Sequence, residues 1–416
     1  MIVKKEDKKL QGIIYLPASK SISNRLLMLK AISGKDFNIS NLSEADDTKL
    51  LSDHLAVIAQ NTKIKSTQIT ALDCDNAGTV IRFLTAYLSS TTGTWLLSGS
   101  EQMKKRPIAI LINALRELGA SINYLNEDGF PPLLIKGNQL RGGSIEMNAG
   151  ISSQYISALL MIAPSLPGGL TIKLSGNLIS MPYIKLTISL MESFGIQISF
   201  SGNKITVGEQ KFKANDSMVE SDWSAASYWY QMAALADEVD VTLIGLKDTR
   251  TQGDSVVSHI FRNFGIETEY LSNGVRITKK RKTIHRMYLN FADFPDIAPT
   301  VIATCAGMGV DEIFFGLGSL HIKETDRIKA LETELTKIGC HFAGCEHSDV
   351  WYLKKEKGCE SRQISFNTYD DHRMAMALAP LALKFGQISI ANPEVVSKSY
   401  PGFWNDIQSV GFQLIK

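Results

Sequence analysis

Ala114-Leu-Arg-Glu-Leu-Gly-Ala-Ser-Ile122 ends an apolar-striped helix, turns on a glycine and begins a strand. The phrase returns as Leu190-Met-Glu-Ser-Phe-Gly-Ile-Gln-Ile198, Ile260-Phe-Arg-Asn-Phe-Gly-Ile-Glu-Thr268 and Glu334-Leu-Thr-Lys-Ile-Gly-Cys-His-Phe342. The chain runs out on Ile407-Gln-Ser-Val-Gly-Phe-Gln-Leu414. Leu115 and Leu118, like Leu331, Leu335 and Ile338, stand three or four residues apart, the spacing of one helix face. A glycine just past such a stripe takes the left-handed conformation that ends a helix. Gly119, Gly195, Gly265, Gly339 and Gly411 are separated by 76, 70, 74 and 72 residues. Many helices end on glycine, but near-constant spacing predicts a repeat. A first, degenerate copy is expected to end near Gln60, before Thr62-Lys-Ile-Lys65. That makes six units of about 70 residues each.

A unit of that length holds two helices and several strands. After Gly265, Tyr270, Val275 and Ile277 flank Ser272-Asn273-Gly274, a hairpin signal. Arg286–Phe291 and Glu312–Phe315 read as strands, Ile297–Ala306 as a small-residue helix and Glu324–Ile338 as a long amphipathic helix. No Gly/Ser-rich or Pro-rich linker divides the chain, so short crossings are expected, one near Asp216–Glu220.

The chain has 416 residues, 44% of them hydrophobic and 21% charged, an ordinary globular balance. Two or three domains follow from the length. The formal net charge of +2 excludes a surface that grips nucleic acid all over, so any working positive charge must be local. No apolar run is long enough to span a bilayer. Met1-Ile-Val-Lys-Lys has no signal-peptide core, and five cysteines suit a reducing compartment. A cytoplasmic monomer is expected, with no membrane, nucleic-acid, metal or cofactor partner.

The cations cluster at predicted helix starts. In Leu16-Pro-Ala-Ser-Lys-Ser-Ile-Ser-Asn-Arg25 a strand ends at the proline, and Ile22, Leu26 and Leu29 begin a helical stripe. Free backbone N–H groups and the helix dipole favour an anion there, and Lys20 and Arg25 add charge. Asp75-Asn-Ala-Gly-Thr79 precedes a helix over Val80–Leu88, with Arg82 on its first turn. Gly150-Ile-Ser-Ser-Gln154 precedes Tyr155–Ile162, and Lys104-Lys-Arg-Pro107 opens another helix with proline at its first position. Lys323-Glu-Thr-Asp-Arg327 and Asp371-His-Arg373 repeat the device, and Lys323 and Arg327 are expected on one helix face. Each alone also reads as a capped helix with surface charges. Together they would build an anion site on a nearly neutral protein. Cys340-His341 with Cys345-Glu-His347 lacks a standard zinc spacing, and Lys279-Lys-Arg-Lys282 with His285-Arg286 reads first as a solvated turn.

These segments together resemble the EPSP synthase family, the 3-phosphoshikimate 1-carboxyvinyltransferases. The resemblance rests on Leu16–Arg25, Asn76-Ala-Gly-Thr79, Lys105-Arg-Pro107, Ser152-Ser-Gln154 and Ser180-Met-Pro-Tyr183. It continues through Pro295-Asp296, Lys323–Arg327, Asp371-His-Arg-Met-Ala-Met376 and Ser397-Lys398, in family order. It implies an α+β fold of two similar domains, each holding three βαβαββ units in an inside-out α/β barrel. Residues 16–218 would form the first domain, residues 1–15 with 219–416 the second, and the active site would lie in the cleft between them.

The same resemblance implies transfer of the enolpyruvyl group of phosphoenolpyruvate to the 5-hydroxyl of shikimate 3-phosphate. Shikimate 3-phosphate would meet Lys20, Ser21, Arg25, Ser152, Ser153, Gln154, Ser180, Tyr183, Asp296, Ser319 and Lys323. Phosphoenolpyruvate would meet Lys20, Asn76, Gly78, Arg106, Gln154, Arg327, Arg373 and Lys398. Asp296, Glu324, Lys323 and Lys20 match the catalytic set. Ala18, Gln102, Phe83 and Ser319 depart from the common family residues, while the Asn76–Thr79 phrase resembles the glyphosate-sensitive type. The sister reaction on UDP-N-acetylglucosamine fits the Ser-Ser-Gln and Asp-His-Arg segments less well.

Overall fold

The structure is a computed structural model that describes residues 1–148, 150, 152–249, 251–280, 287–345, 348–360 and 363–415, with the main chain alone for 357–360. The chain forms two compact units, Met1–Ser19 with Glu220–Lys416, and Lys20–Val219.

Within Lys20–Val219, strand Ile69–Asp73 leads through helix Gly78–Ser89 to the parallel strand Gly93–Ser98. Helix Ala109–Glu117 follows, then the antiparallel pair Ser121–Tyr124 and Leu133–Gly137. Leu133–Gly137 inserts beside Gly93–Ser98, which completes a four-stranded sheet of one βαβαββ unit. Gly143–Val207 repeats this order with its own four strands and with helices Ser153–Ile162 and Met181–Ser193. The third unit is short. Helix Lys20–Ser33 joins a two-stranded parallel sheet of Ile39–Ser40 and Ser217–Met218, and helix Asp46–Lys63 follows.

Within the other unit, three four-stranded sheets form in the same order. Strand Lys9–Tyr15 pairs in parallel with Glu238–Ile244, although the whole of Lys20–Val219 lies between them in sequence. Strand Ile2–Lys4 pairs antiparallel with both Gln387–Ile390 and Gln413–Ile415, so the amino terminus closes the last repeat.

The inside-out character follows from composition. Helices Trp223–Leu235, Ala298–Met308 and His372–Leu378 are buried almost all round. Such helices carry no polar face and must sit within a core. Their alanine and other small side chains let neighbouring helices approach closely. The strands instead alternate, as in Gly93–Ser98, where Trp95 and Leu97 are buried between less buried neighbours. One sheet face therefore covers the helices and the other meets solvent.

Three repeat glycines, Gly119, Gly195 and Gly411, stand just past their helix caps as expected, whereas Gly265 comes three residues after its helix and Gly339 lies within strand Ile338–Gly344, though all five take positive φ. Gly119, Gly195, Gly265, Gly339 and Gly411 have φ of +94, +79, +83, +68 and +91°. After three of them the next N–H reaches back over the turn: Ala120 N to Leu115 O, Ile196 N to Met191 O and Phe412 N to Ile407 O. These bonds satisfy carbonyls that a bare helix end leaves open.

Several boundaries differ from the sequence expectation. The helix expected over Glu324–Ile338 spans Arg327–Thr336, because Asp326 caps it by accepting the Lys329 N–H at 3.2 Å. Lys323 and Glu324 therefore precede the helix and share no helix face with Arg327. Pro107 is not the first residue of a helix. Arg106 before it is extended, as a residue preceding proline prefers, and the helix starts at Ala109. The helix after Asn76 starts at Gly78 rather than Val80. The helix expected to end near Gln60 runs on through Thr62 to Lys63, and the next strand is Ile69–Asp73. The expected strand near Arg286–Phe291 is Leu289–Asn290. Residues 281–286 of the basic run and Glu346 and His347 of the Cys/His run lie outside the described residues. Among the described residues, no helix is long and apolar enough to cross a membrane.

Gly119 tests the helix-ending role cleanly, since an added Cβ would meet nothing nearer than Arg141 Nε at 3.6 Å. Gly119→Ala is expected to lower the unfolding free energy by about 1–2 kcal/mol through backbone strain alone. Gly208, with open space around it, is the control, and Gly208→Ala should leave urea unfolding unchanged.

Candidate active site

In a strand–helix–parallel strand unit, each helix starts at the carboxyl end of the strand before it. The helix starts of a unit therefore gather on one rim, with free N–H groups. Of the residues singled out from sequence, eleven belong to Lys20–Val219 and seven to the other unit, most of them at or just before helix starts, while Lys398 ends the turn Pro393–Lys398 and Ser319 lies within the turn Gly318–Ile322.

The first cluster belongs to Lys20–Val219. Lys20 opens its helix and pairs with Asp47 at 2.9 Å, in the first turn of the next helix. Arg25, one turn on from Ser21, donates to the Ser21 carbonyl at 2.9 Å and to Thr187 Oγ1 at 2.7 Å. Burial without a carboxylate partner pushes its guanidinium down to about 10. Arg82 Nη1 donates to the Gly78 carbonyl at 2.9 Å, and Arg106 Nη1 reaches the Asn76 carbonyl at 3.4 Å. Gly78 has no room for a side chain, because a Cβ there would stand 2.5 Å from Arg82 Nη1 and 2.9 Å from both Arg106 Nη atoms.

Ser152 caps helix Ser153–Ile162 by accepting the Gln154 N–H at 3.3 Å. The Gln154 amide donates to Thr79 Oγ1 at 3.1 Å, and Tyr155 Oη donates to the Pro107 carbonyl at 2.5 Å. These two bonds tie three helix starts together. Ser180 sits before helix Met181–Ser193 with φ +56° and ψ +32°, and its hydroxyl makes no cap bond. A left-handed non-glycine residue is costly, and such strain collects at functional sites. Tyr183 offers its carbonyl to Arg25 at 3.3 Å. Lys20, Arg25, Arg82 and Arg106 thus gather in this unit, with Asp47 paired to Lys20.

The second cluster belongs to the other unit and pairs its arginines with carboxylates. Arg327 Nε and Nη2 grip Asp371 at 2.8 and 3.3 Å, and Nη2 also reaches Glu324 at 2.7 Å. Its buried Nη1 has no hydrogen-bond acceptor among the described residues and stands 3.6 Å from Asp296 Oδ1. Arg373 donates to Asp296 twice, to Oδ2 at 2.7 Å and to the carbonyl at 3.0 Å. Lys398 lies 3.8 Å from Glu324, and Lys323 follows the turn Gly318–Ile322 that carries Ser319. Asp371 also caps helix His372–Leu378 through the Arg373 N–H at 2.8 Å.

Two carboxylates here have opposed proton affinities. Burial alone would raise Asp296, but Arg373, Lys323 and Arg327 outweigh it and hold the carboxyl at about 2. Asp254 accepts a hydrogen bond from Ser224, and burial, with Asp296 nearby, pushes it up to about 7.

The sequence marks Asp371 as a helix start but gives no sign that it pairs with Arg327, and Asp47, Thr187 and Asp254 carry no signal of their own. Asp47 reads as an ordinary acid in a helix's first turn, and Thr187 as a buried position on an apolar face. Only contacts 162 and 27 residues apart in sequence reveal them.

The Asp254 carboxyl gives a signed expectation. Its folded value lies above the unfolded one near 4, so its protonated form favours folding at low pH. That advantage is lost as pH rises from about 4 to 7, at up to roughly 1.4 kcal/mol per unit. Asp254→Asn should flatten this decline, as read from urea unfolding at successive pH values.

Comparison with known proteins places the chain. A sequence model of EPSP synthase (3-phosphoshikimate 1-carboxyvinyltransferase) matches residues 4–407. A 3-phosphoshikimate 1-carboxyvinyltransferase of Bacteroides fragilis is 46% identical over 405 residues, covering 97% of this chain and 96% of its own. One from a Sulfurovum species is 33% identical over 420 residues, covering 96% and 97%. Among solved structures, an EPSP synthase from Acinetobacter baumannii aligns with a TM-score of 0.78 at 22% identity, over 100% of both chains. An enolpyruvyl transferase from Streptomyces tendae aligns with a TM-score of 0.74 at 15% identity, over 99% of this chain and 97% of its own. The two structures share the fold, and the sequence matches go further: the chain belongs to the EPSP synthase family.

Proposed function

We infer that this chain transfers the enolpyruvyl group of phosphoenolpyruvate to the 5-hydroxyl of shikimate 3-phosphate, releasing inorganic phosphate. The observation that carries the reading is that the residues matching the family's site gather at helix starts in two clusters, one in each unit. We propose that both clusters serve one pair of substrates, in a cytoplasmic monomer.

Both substrates bring phosphate and carboxylate groups, which suits the four cations gathered in the first cluster. Shikimate 3-phosphate is assigned to Lys20, Ser21, Arg25, Ser152, Ser153, Gln154, Ser180 and Tyr183, with Asp296, Ser319 and Lys323. Phosphoenolpyruvate is assigned to Lys20, Asn76, Gly78, Arg106, Gln154, Arg327, Arg373 and Lys398. Arg327 has committed Nε and Nη2 to Asp371 and Glu324, so Nη1 is the group left for an anion.

The reaction is an addition followed by an elimination. The sugar oxygen bonds to C2 of phosphoenolpyruvate while its proton leaves and C3 takes one up. Phosphate then departs from C2, C3 gives a proton back and the double bond returns. Asp296 and Glu324 are the carboxylates for these transfers, with Lys323 and Lys20 beside the phosphate groups. Asp296 is ionised at neutral pH and weakly basic, because cations hold it at about 2. Substrate anions that neutralise Arg373, Arg327 and Lys323 raise its proton affinity when the hydroxyl proton must be accepted.

Purified protein mixed with both substrates should release phosphate, and neither substrate alone should do so. No release from folded protein would refute the reading. Arg106→Ala and Glu324→Gln should each lower kcat/KM by about tenfold or more in that assay. Gly78→Ala should raise the KM for phosphoenolpyruvate by about tenfold while the KM for shikimate 3-phosphate moves little, since the new methyl displaces the Arg106 guanidinium.

A further inference from the structure

Arg25 is 3% exposed, and no carboxylate pairs with it among the described residues. Its donors go to neutral oxygens instead. Nε donates to Thr187 Oγ1 at 2.7 Å, Nη1 to the Ser21 carbonyl at 2.9 Å, and Nη2 to Ser157 Oγ and the Tyr183 carbonyl, both at 3.3 Å. The Phe83 ring lies 5.5 Å from its centre. A guanidinium has five N–H donors. Four are consumed by the protein, and one Nη1 hydrogen remains. Arg25 is therefore no open two-pronged clamp. It is a fixed charge with a single remaining donor, and its direction is set by the groups that hold the other four.

Thr187 holds the tightest of these bonds. Its hydroxyl accepts from Arg25 Nε, stands 2.8 Å from Ser157 Oγ and lies 3.0 Å from the Tyr183 carbonyl, one turn back on its own helix. Its one proton serves either neighbour, which leaves a lone pair for Arg25. The three side chains come from helices Lys20–Ser33, Ser153–Ile162 and Met181–Ser193. The hydroxyl is thus the point where three helices agree on one direction for the guanidinium. A valine there keeps shape and packing but leaves the buried Nε donor without an acceptor.

We propose that Thr187, supported by Ser157, is a positioning residue for shikimate 3-phosphate, aiming the one free donor of Arg25 at the substrate. This rests on the function proposed above. The low proton affinity of Arg25 agrees with a buried cation that still lacks its anion.

Initial rates with each substrate varied in turn, and binding of shikimate 3-phosphate alone by calorimetry, test the proposal. In Thr187→Val the KM and Kd for shikimate 3-phosphate should rise about tenfold, while kcat and the KM for phosphoenolpyruvate stay within about threefold. Thr187→Ser, which restores the acceptor, should return near parent values. Unchanged KM and Kd in Thr187→Val would overturn the proposal, as would an equal rise for both substrates or a serine variant no better than valine. Should the valine variant fail to fold, Ser157→Ala takes its place. A smaller rise in the same KM supports the proposal, and an unchanged KM refutes it. Parent protein that binds shikimate 3-phosphate in a Thr187-dependent way but releases no phosphate would refute the reaction and leave this inference standing. Normal turnover in both parent and Thr187→Val would do the reverse. Parent protein that neither binds nor reacts would end both.

Discussion

A strand that crosses through a helix to a parallel neighbour leaves the helix start at the strand's carboxyl end. That constraint governs this chain. In each compact unit the repeated crossover sets helix starts side by side, and each brings N–H groups without intrahelical partners. The polar residues of the site then have one natural place to collect. Ser21, Gly78, Ser153 and Ser180 reach it in one unit, and Asp296, Arg327 and Arg373 in the other, although they are scattered along the sequence. The glycines that end the helices do the complementary work at the far end, turning the chain into the next strand.

Charge is handled differently in the two units. Around Arg25 and Arg106 the cations are held mainly by carbonyls and hydroxyls, and Asp47 is the carboxylate that answers Lys20. Around Arg327 and Arg373 they are held by Asp371, Glu324 and Asp296. A buried charge without a counter-charge is expensive, so on the proposed function a substrate anion would complete the surroundings of Arg25. In the second the arginines already have carboxylate partners, so an anion arriving there would compete with those carboxylates and change their basicity. On the proposed function, one cluster would serve mainly to capture substrate and the other to move protons.

Much of the site was legible in sequence because its parts are local. A serine or aspartate before an apolar stripe states where a helix begins, and a nearby lysine or arginine states which charge it welcomes. Ser152, Asp371 and the Lys20 segment behave as this reasoning expects. The failures are also local in cause. Glu324 continued the helical pattern, yet Asp326 caps the helix and excludes it. Pro107 suits a first helical position, yet the chain stays out of the helix until Ala109.

The sequence by itself determined the repeat, its period, the helix-ending glycines and the supply of cations at helix starts, since these depend on residues within one or two turns. Only the tertiary structure decided which partners those cations take. Asp47 for Lys20, Thr187 for Arg25 and Asp371 for Arg327 are separated from them by 27, 162 and 44 residues. It also decided that the first strand set is closed across the sequence, with Lys9–Tyr15 beside Glu238–Ile244. Such pairings are set by which elements pack together, and neither periodicity nor capping chemistry carries that information.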